Sequence, residues 1–415
     1  MRLWDTRCFL SGFPHCLALR LFRGLESYKI SGDEITSETL VPLPNLRVFL
    51  TSHSYPSVVV RAPAKLNLFL ELLRKRDDGY HDIDTVMVPI DRYDTLVVRS
   101  SPQPGIRIET RWWPNRDHWV SCLGAASADG LLDIPNDERN LIYRAIAATA
   151  ALSGSSLGFD VEVRKRIPAG AGMGGASSDA AAAIRAVAAL MDLPPHDPRL
   201  HEVAAAIGSD VPFFLGASEF LGAHKAPRAN EAKSRLSRDE SGDNVPTNWL
   251  DSDRMAESSP VAAMRALGRG EILNRVELPV ALRFLIAFPA VSLSTASVYR
   301  ASKIPECPDS SEPLIRAMKH GEIEKMGQEM RNRLAEPALK ISGLVEDLLE
   351  QMWQTGLPRC QLTGSGSACY SLLDDSSDIV ALEKQLSTTL NAHRIPAVIF
   401  SARSISIPQR IRTRT

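Results

Sequence analysis

The chain has 415 residues, of which 44% are hydrophobic and 23% are charged. This composition is typical of a globular protein and excludes collagen-like fibres and largely disordered chains. The 48 Lys and Arg residues nearly balance the 49 Asp and Glu residues, so the formal net charge is -1. Because no overall positive field attracts polyanions and no apolar run approaches the roughly 18 residues that span a bilayer, we expect neither nucleic acid nor a membrane as a partner.

Six cysteines are scattered along the chain without a CxxC pair. A structural zinc site needs grouped ligands, and a disulfide scaffold needs many cysteines in a short chain, so we predict reduced thiols. Residues 1–57 lack a clean period, and neither a secretory signal nor a plastid transit peptide is predicted. We interpret them as a poorly ordered extension or a start codon assigned too early, and we expect a bacterial cytoplasmic location rather than the plastid stroma.

Hydrophobic periodicity places the secondary structure. Strands are predicted, in chain order, at residues 58–60, 65–72, 95–99, 106–110, 159–164, 282–287, 360–373 and 397–402. Helices are predicted at residues 140–152, 177–191, 314–334, 339–354 and 379–390. The second half of the chain therefore has the order β-α-β-β-α-β, which favours an α+β fold with a split, mostly antiparallel sheet.

These elements divide the chain into two blocks, predicted at residues 58–279 and 280–407, with a tail at 408–415. Residues 222–259 interrupt the first block with a charged stretch rich in Ser, Asn and Asp. Such a stretch buries too little apolar surface to offset its ordering, so we predict an insert that is either a lid or disordered.

The most informative segment is a glycine loop, KRIPAGAGMGGASSDAA, at residues 165–181. Its glycines allow the backbone to approach a ligand and to adopt positive φ. Ser177, Ser178 and Asp179 are predicted to cap the helix that follows, whose first N–H groups remain free. Free amides, a positive helix end and hydroxyl groups together predict a phosphate site.

Two other phosphate loops were compared with this one. A Walker A loop ends in Gly-Lys followed by Ser or Thr, which is absent here. The glycines do satisfy GxGxxG, but a dinucleotide fold needs a parallel strand after the helix, and Asp192-Leu-Pro-Pro and a second helix follow instead. A purely structural glycine turn remains possible, although four glycines followed by Ser-Ser favour phosphate binding.

Two charged residues stand in apolar surroundings. Asp210 precedes the run VPFFL and is interpreted either as a helix N-cap or as a carboxylate that orients or deprotonates a hydroxyl. Lys65, in the strand APAKLNL, either extends its ammonium to the sheet edge or holds it near an anion. The segment RDDGYH at residues 76–81 predicts a β-turn that places Tyr80 and His81 at its exit.

Taken together, these motifs resemble the GHMP superfamily of small-molecule kinases and, within it, the family that phosphorylates 4-diphosphocytidyl-2-C-methyl-D-erythritol. The similar segments are APAKLNL, RDDGYH, NLIYRA, the glycine loop, IGSDVPFFL, GRGE at residues 268–271, AVSLSTASVY and LTGSGSACY. The glycine loop alone indicates the superfamily, and the pairing of APAKLNL with DGYH indicates the narrower family. Ala176 stands where this loop often has another glycine, and Tyr299 stands where relatives can have Phe.

The resemblance implies a two-domain fold, with an N-terminal ribosomal-S5-domain-2-like β/α domain and a C-terminal ferredoxin-like domain. It also implies an ATP-dependent kinase of the non-mevalonate (MEP) isoprenoid pathway that uses Mg²⁺ and works as a monomer or homodimer. Lys65 and Asp210 would flank the 2-hydroxyl group, and Asn67 would fix the erythritol portion. The residues implied to hold the cytosine are Tyr80, His81, Thr295 and Tyr299. The residues implied to surround the ATP phosphates are Pro168, Ala169, Gly170, Ala171, Gly172, Met173, Gly174, Gly175, Ala176, Ser177 and Ser178.

Two alternatives stay open from the sequence. A homoserine or mevalonate-type kinase would share the glycine loop and the fold, although the Tyr80-His81 pair argues against it. A catalytically silent binding protein on the same scaffold would not need both Lys65 and Asp210. No metal-binding carboxylate is apparent, and Ser177 or Ser178 is the only ligand for Mg²⁺ that the loop offers.

Overall fold

The computed structural model describes residues 55–405, apart from gaps at 155–156, 218, 225–235, 239–243 and 247–260. The predicted extension at 1–57 and tail at 408–415 therefore lie almost entirely outside the described residues. So does most of the predicted insert, of which only short strand segments are described. Among the described residues, no helix is both long enough and apolar enough to cross a membrane.

The described strands, in chain order, are β1 (Ser57–Lys75), β2 (His81–Ser101), β3 (Ile106–Trp112), β4 (Gly158–Lys165), β5 (Glu219–His224), β6 (Leu236–Arg238), β7 (Asn244–Pro246), β8 (Val261–Gly268), β9 (Ile272–Leu278), β10 (Arg283–Pro289), β11 (Arg331–Asn332), β12 (Cys360–Leu362), β13 (Cys369–Leu373) and β14 (Ala397–Arg403).

The described helices are α1 (Arg116–Leu123), α2 (Ala125–Leu132), α3 (Leu141–Ala151), α4 (Gly175–Leu190), α5 (Pro198–Ile207), α6 (Val211–Ala217), α7 (Thr295–Ala301), α8 (Glu312–His320), α9 (Ile323–Glu329), α10 (Ala335–Ile341), α11 (Gly343–Gln354) and α12 (Ile379–Ala392). The helix predicted at 140–152 is confirmed, and the Asn140 side chain caps it by accepting from the Ile142 N–H.

The first sheet is built on two long antiparallel strands, β1 and β2, joined by the predicted turn at residues 76–80. Strand β1 pairs with β5 at its start and with β11 near Phe69, whereas β2 pairs with β8 at its start and with β4 at its end. Strand β5 extends to His224, past the predicted start of the insert. Helix α4 packs on this sheet, and its alanine-rich faces are buried.

The second sheet has the order β12-β13-β10-β14, with antiparallel neighbours. Numbered along the chain from β10, this order is 4-1-3-2, the arrangement of a ferredoxin-like split β-α-β fold. The predicted α+β fold with two sheet domains is thus confirmed. Helices α11 and α12 pack against β10 and the strands beside it through an apolar core that includes Leu348, Leu386 and Leu390.

The single helix predicted at residues 314–334 is wrong. Helix α8 ends at His320 because Gly321 adopts φ +69° and accepts the role of C-cap, with its N–H bonded to the carbonyl oxygens of Ala317 and Met318. Helix α9 ends at Glu329, after which Arg331–Asn332 forms the short strand β11 beside β1. This pairing with a strand from the first half of the chain leaves no trace in the local period.

Candidate active site

One cleft of about 1060 Å³ brings together the residues that the sequence indicated. Its lining contains Lys65, Asn67, Tyr80 and His81 from the β1–β2 hairpin, Asp210 from the turn before α6, and Thr295 and Tyr299 from α7. The loop residues from Pro168 to Ser177 also line it, but Ser178 does not. The side chain of Ser178 is fully buried, and its hydroxyl group has no hydrogen-bond partner among the described residues.

The predicted capping role of Ser177, Ser178 and Asp179 is wrong. Helix α4 begins earlier, at Gly175, and its N-cap is Gly174 in a left-handed conformation with φ +72°. The first helical bond runs from the Ser178 N–H to the Gly174 oxygen, at 2.9 Å. The serines therefore lie inside the first turn, and Ser177 alone presents its side chain to the cleft.

The glycine loop is held by hydrogen bonds to two neighbouring segments, and it also lines the cleft. The Lys65 N–H donates to the Met173 oxygen at 3.0 Å, which joins the loop to β1. The N–H groups of Ser367 and Ala368 donate to the oxygens of Gly170 and Ala171, which joins it to the turn before β13. Because these contacts occupy carbonyl oxygens, the loop's own amides remain available to an anion in the cleft.

At Gly172 the loop tolerates no side chain because backbone lies in the way. Its φ is +74°, and a Cβ atom there would lie 2.2 Å from the Thr363 oxygen. The backbone can approach the second glycine-rich turn this closely only without a side chain. The segment LTGSGSACY thus supports the phosphate loop.

Lys65 and Asp210 approach each other at the mouth of this loop. The Nζ atom of Lys65 is 3.9 Å from Oδ2 of Asp210, and the two side chains are 5% and 36% exposed. Lys65 also donates to the Gly172 oxygen at 2.8 Å and to Oδ1 of Asn67. Burial lowers the pKa of Lys65, and the charge of Asp210 partly opposes this shift. The site therefore holds one ammonium and one carboxylate beside the phosphate loop.

Asn67 is held by contacts that also fix its neighbours. Its Nδ2 group donates to the Thr85 hydroxyl at 2.9 Å, and its N–H donates to the Thr363 hydroxyl at 3.1 Å. Its Oδ1 accepts from Lys65. Lys65 and Thr85 thereby orient the side-chain amide of Asn67, and Thr363 holds its backbone. The lysine is directed toward the glycine loop.

Three ring-bearing residues line the same cleft. The rings of His81 and Tyr299 have centroids 5.6 Å apart and are tilted by 41°, while Tyr80 is 54% exposed. Burial and, to a smaller extent, the charge of Lys75 lower the pKa of His81, so the imidazole is neutral at neutral pH. The Thr295 hydroxyl lies 3.0 Å from that of Ser365. Flat rings and a neutral imidazole are suited to a planar base.

Sequence reasoning missed a buried charge cluster beneath the loop. The Lys165 ammonium contacts Asp94 and lies 2.7 Å from Oδ2 of Asp179, with all three side chains at most 4% exposed. Burial alone would lower the pKa of Lys165, but the two carboxylates outweigh it and raise this pKa. Burial and the charge of Asp94 raise the pKa of Asp179, against the opposing effect of Lys165. A signal was present, since Lys165 continues the buried positions Phe159, Val161 and Val163 of β4.

Comparison with known proteins places this site in a family. The GHMP kinases N terminal domain matches residues 140–217, which include the glycine loop and Asp210. The 4-diphosphocytidyl-2-C-methyl-D-erythritol kinase of Rhodopirellula baltica is 38% identical over 337 residues, covering 79% of this chain and 90% of that protein. The chain belongs to the 4-diphosphocytidyl-2-C-methyl-D-erythritol kinase family.

Other members of this family and its superfamily agree with the assignment. The 4-diphosphocytidyl-2-C-methyl-D-erythritol kinase of Prosthecochloris aestuarii is 30% identical, covering 82% of this chain and 98% of that protein. A crystal structure of 4-(cytidine 5'-diphospho)-2C-methyl-D-erythritol kinase covers 84% of this chain and 100% of its own, with a TM-score of 0.54 and 26% identity. A homoserine kinase structure from Cytophaga hutchinsonii has the same TM-score at 17% identity, covers 84% of this chain and 95% of its own, and shows the shared fold alone.

Proposed function

We propose that this chain transfers the γ-phosphoryl group of ATP to the 2-hydroxyl group of 4-diphosphocytidyl-2-C-methyl-D-erythritol, giving the 2-phosphate and ADP in the MEP pathway. The observation that carries the proposal is the 3.9 Å approach of Lys65 to Asp210, at a point where Lys65 also contacts Gly172 of the phosphate loop. Phosphoryl transfer requires in-line positioning and neutralisation of charge, which one cation, one acid and a row of amides can supply.

In the proposed reaction, Asp210 accepts a hydrogen bond from the 2-hydroxyl group and takes its proton as the oxygen attacks the γ-phosphorus. Lys65 stabilises the negative charge on the transferring phosphoryl oxygens. The amides of residues 169–177 hold the ATP phosphates, and Pro168 and Ser178 border them. Ser178 contributes its backbone to this loop, because its buried hydroxyl group does not line the cleft. Asn67 positions the erythritol portion beside Lys65.

The ring-bearing residues of the cleft would receive the cytidine. Tyr80 and Tyr299 stack on the base, the neutral imidazole of His81 hydrogen-bonds its edge, and Thr295 completes the pocket. This arrangement is supported by the 5.6 Å spacing of His81 and Tyr299 and by their shared position on the cleft wall. A homoserine or mevalonate-type kinase would have no use for a pocket lined by flat rings.

Magnesium ions fit the donor set of the cleft. Mg²⁺ in kinases is held mainly by phosphate oxygens and water, with one or two protein oxygen ligands. The Ser177 hydroxyl and Oδ1 of Asp179 are suitable, since both residues line the cleft and this Oδ1 has no hydrogen-bond partner among the described residues. When bound, the ion would neutralise charge on the β- and γ-phosphates.

The domain division is also a proposal. Strand β9 of the first sheet ends at Leu278 and β10 of the second begins at Arg283, which supports a boundary near residue 280. Strand β11 crosses this division, because it follows β10 in the chain and pairs with β1. We further propose that the enzyme works in the bacterial cytoplasm as a monomer or homodimer, consistent with its bacterial relatives.

A substrate panel tests the proposed function. Purified full-length protein is given ATP and, in turn, the cytidyl substrate, homoserine and mevalonate, while ADP release is measured and the product is examined by phosphorus NMR. Turnover with the cytidyl substrate alone, with a new phosphomonoester at the 2-position, is expected. Equal turnover with homoserine or mevalonate would contradict the proposal, and no turnover with any alcohol would indicate a silent binding protein.

A further inference from the structure

Three cations line the cleft, and each lies beside one of the residues Tyr80, His81 and Tyr299. The Arg269 guanidinium carbon is 5.3 Å from the centre of the Tyr80 ring. Lys75 pairs with His81 across the β1–β2 ladder, and Arg300 follows Tyr299 on α7. All three cations line the same cleft.

These cations are not neutralised by the part of the chain that the structure describes. No carboxylate of a described residue lies within 4.0 Å of the side-chain nitrogens of Lys75, Arg269 or Arg300. The contrast with the same hairpin is sharp, because Arg74 and Arg76 both pair with Asp82. Leaving cations unpaired along a cleft concentrates positive potential there, which favours an anionic ligand.

The position of Arg269 is fixed by a tight turn. It lies in the turn between β8 and β9, where Gly268 has φ +69° and Gly270 has φ +121°. Its N–H donates to the Glu271 carboxylate at 2.6 Å, and a Cβ atom on Gly270 would lie 3.4 Å from the Ser209 oxygen. The turn therefore packs against the residue that precedes Asp210, while Arg269 itself lies beside Tyr80 in the same cleft.

We propose that Arg269, assisted by Lys75 and Arg300, binds the diphosphate bridge of the substrate and thereby selects a nucleotide-linked alcohol over a free one. This inference rests on the proposed function, since it assigns a further part of the same substrate to the same cleft. A guanidinium group presents a planar fork of donors that matches phosphate oxygens, and the Tyr80 ring holds the plane of that fork.

The test compares the variant Arg269→Gln with the wild type in equilibrium binding by calorimetry, without ATP. Two probes are used: 4-diphosphocytidyl-2-C-methyl-D-erythritol itself, and cytidine, which lacks the diphosphate. Loss of a charge-assisted phosphate contact should weaken binding of the diphosphate ligand by about 10- to 100-fold, while cytidine affinity changes by less than about threefold. Arg316→Gln, on the exposed face of α8, is the matched control and should bind both probes as the wild type does.

A second measurement tests the same contact by kinetics instead of equilibrium binding. The KM of the wild type for the cytidyl substrate should rise with ionic strength more steeply than that of Arg269→Gln, because screening weakens only an existing charge contact. Equal weakening for both probes would show that Arg269 merely supports Tyr80, and unchanged binding would show that it has no role; either result overturns the inference. Wild-type protein that fails to phosphorylate the cytidyl substrate would instead refute the proposed function.

Discussion

The Nζ atom of Lys65 lies 3.9 Å from Oδ2 of Asp210, although one residue sits in the first strand of the sheet and the other in the turn before α6. The lysine is buried, whereas about a third of the aspartate side chain faces the cleft. This asymmetry leaves the carboxylate free to meet a hydroxyl group while the ammonium stays beside the glycine loop.

Asp210→Asn should abolish most turnover without weakening ATP binding. An amide cannot accept the proton of the substrate hydroxyl, and general-base catalysis contributes about 100- to 10,000-fold to rate, so kcat should fall by that factor. The glycine loop makes no contact that this change removes, and ATP affinity by calorimetry should stay within about threefold of the wild type. A kcat within tenfold of the wild type would show that Asp210 is not the base.

The pH profile should report the buried lysine. Because burial lowers the pKa of Lys65 from its usual 10.5, kcat/KM should fall on the alkaline side with a midpoint below that value. The Asp210 charge raises this pKa, so the residual activity of Asp210→Asn should show its alkaline fall at a still lower pH. Profiles measured from pH 7 to 10.5 check both statements, and an identical midpoint in the two proteins would contradict the coupling.

Gly172→Ala should disable the phosphate loop, and Gly154→Ala is its control. Both glycines have positive φ, +74° at Gly172 and +66° at Gly154. A Cβ atom at Gly172 would lie 2.2 Å from the Thr363 oxygen, whereas a Cβ atom at Gly154 would have no neighbouring atom within 4 Å. Both variants carry the strain of a left-handed conformation, about 1 kcal/mol or slightly more. Only Gly172→Ala should also displace the loop and weaken ATP binding by about tenfold or more. Equal ATP affinities would refute the assigned role.

The buried cluster predicts a large effect on stability. Lys165→Met leaves the buried carboxylates of Asp94 and Asp179 without their cation, so the free energy of unfolding should fall by about 3–5 kcal/mol. Lys340→Met breaks an exposed pair with Glu336, which solvent screens, and should lower the free energy of unfolding far less. Urea denaturation of the two variants gives the comparison. Similar losses in both would mean that the cluster contributes no more than a surface pair.

The amino-acid sequence by itself determined the local parts of this protein. Alternating apolar residues placed β4 and β14, and the order of elements after residue 280 indicated the split sheet. The glycine loop was recognisable because positive φ and close backbone approach leave a direct mark on residue type. Each of these features depends on residues that are neighbours in the chain.

Tertiary structure alone decided how those parts meet. Asp210 was as easily a helix cap as a base until the fold brought it beside Lys65, and nothing in the sequence indicated that Asp94 and Asp179 would enclose Lys165. Strand β11, inside the helix predicted across residues 314–334, was missed because Arg331–Asn332 pairs with a strand more than 250 residues earlier in the chain. Charge pairing and strand pairing act between residues that are distant in the chain, so no local pattern could encode which partner each group would find.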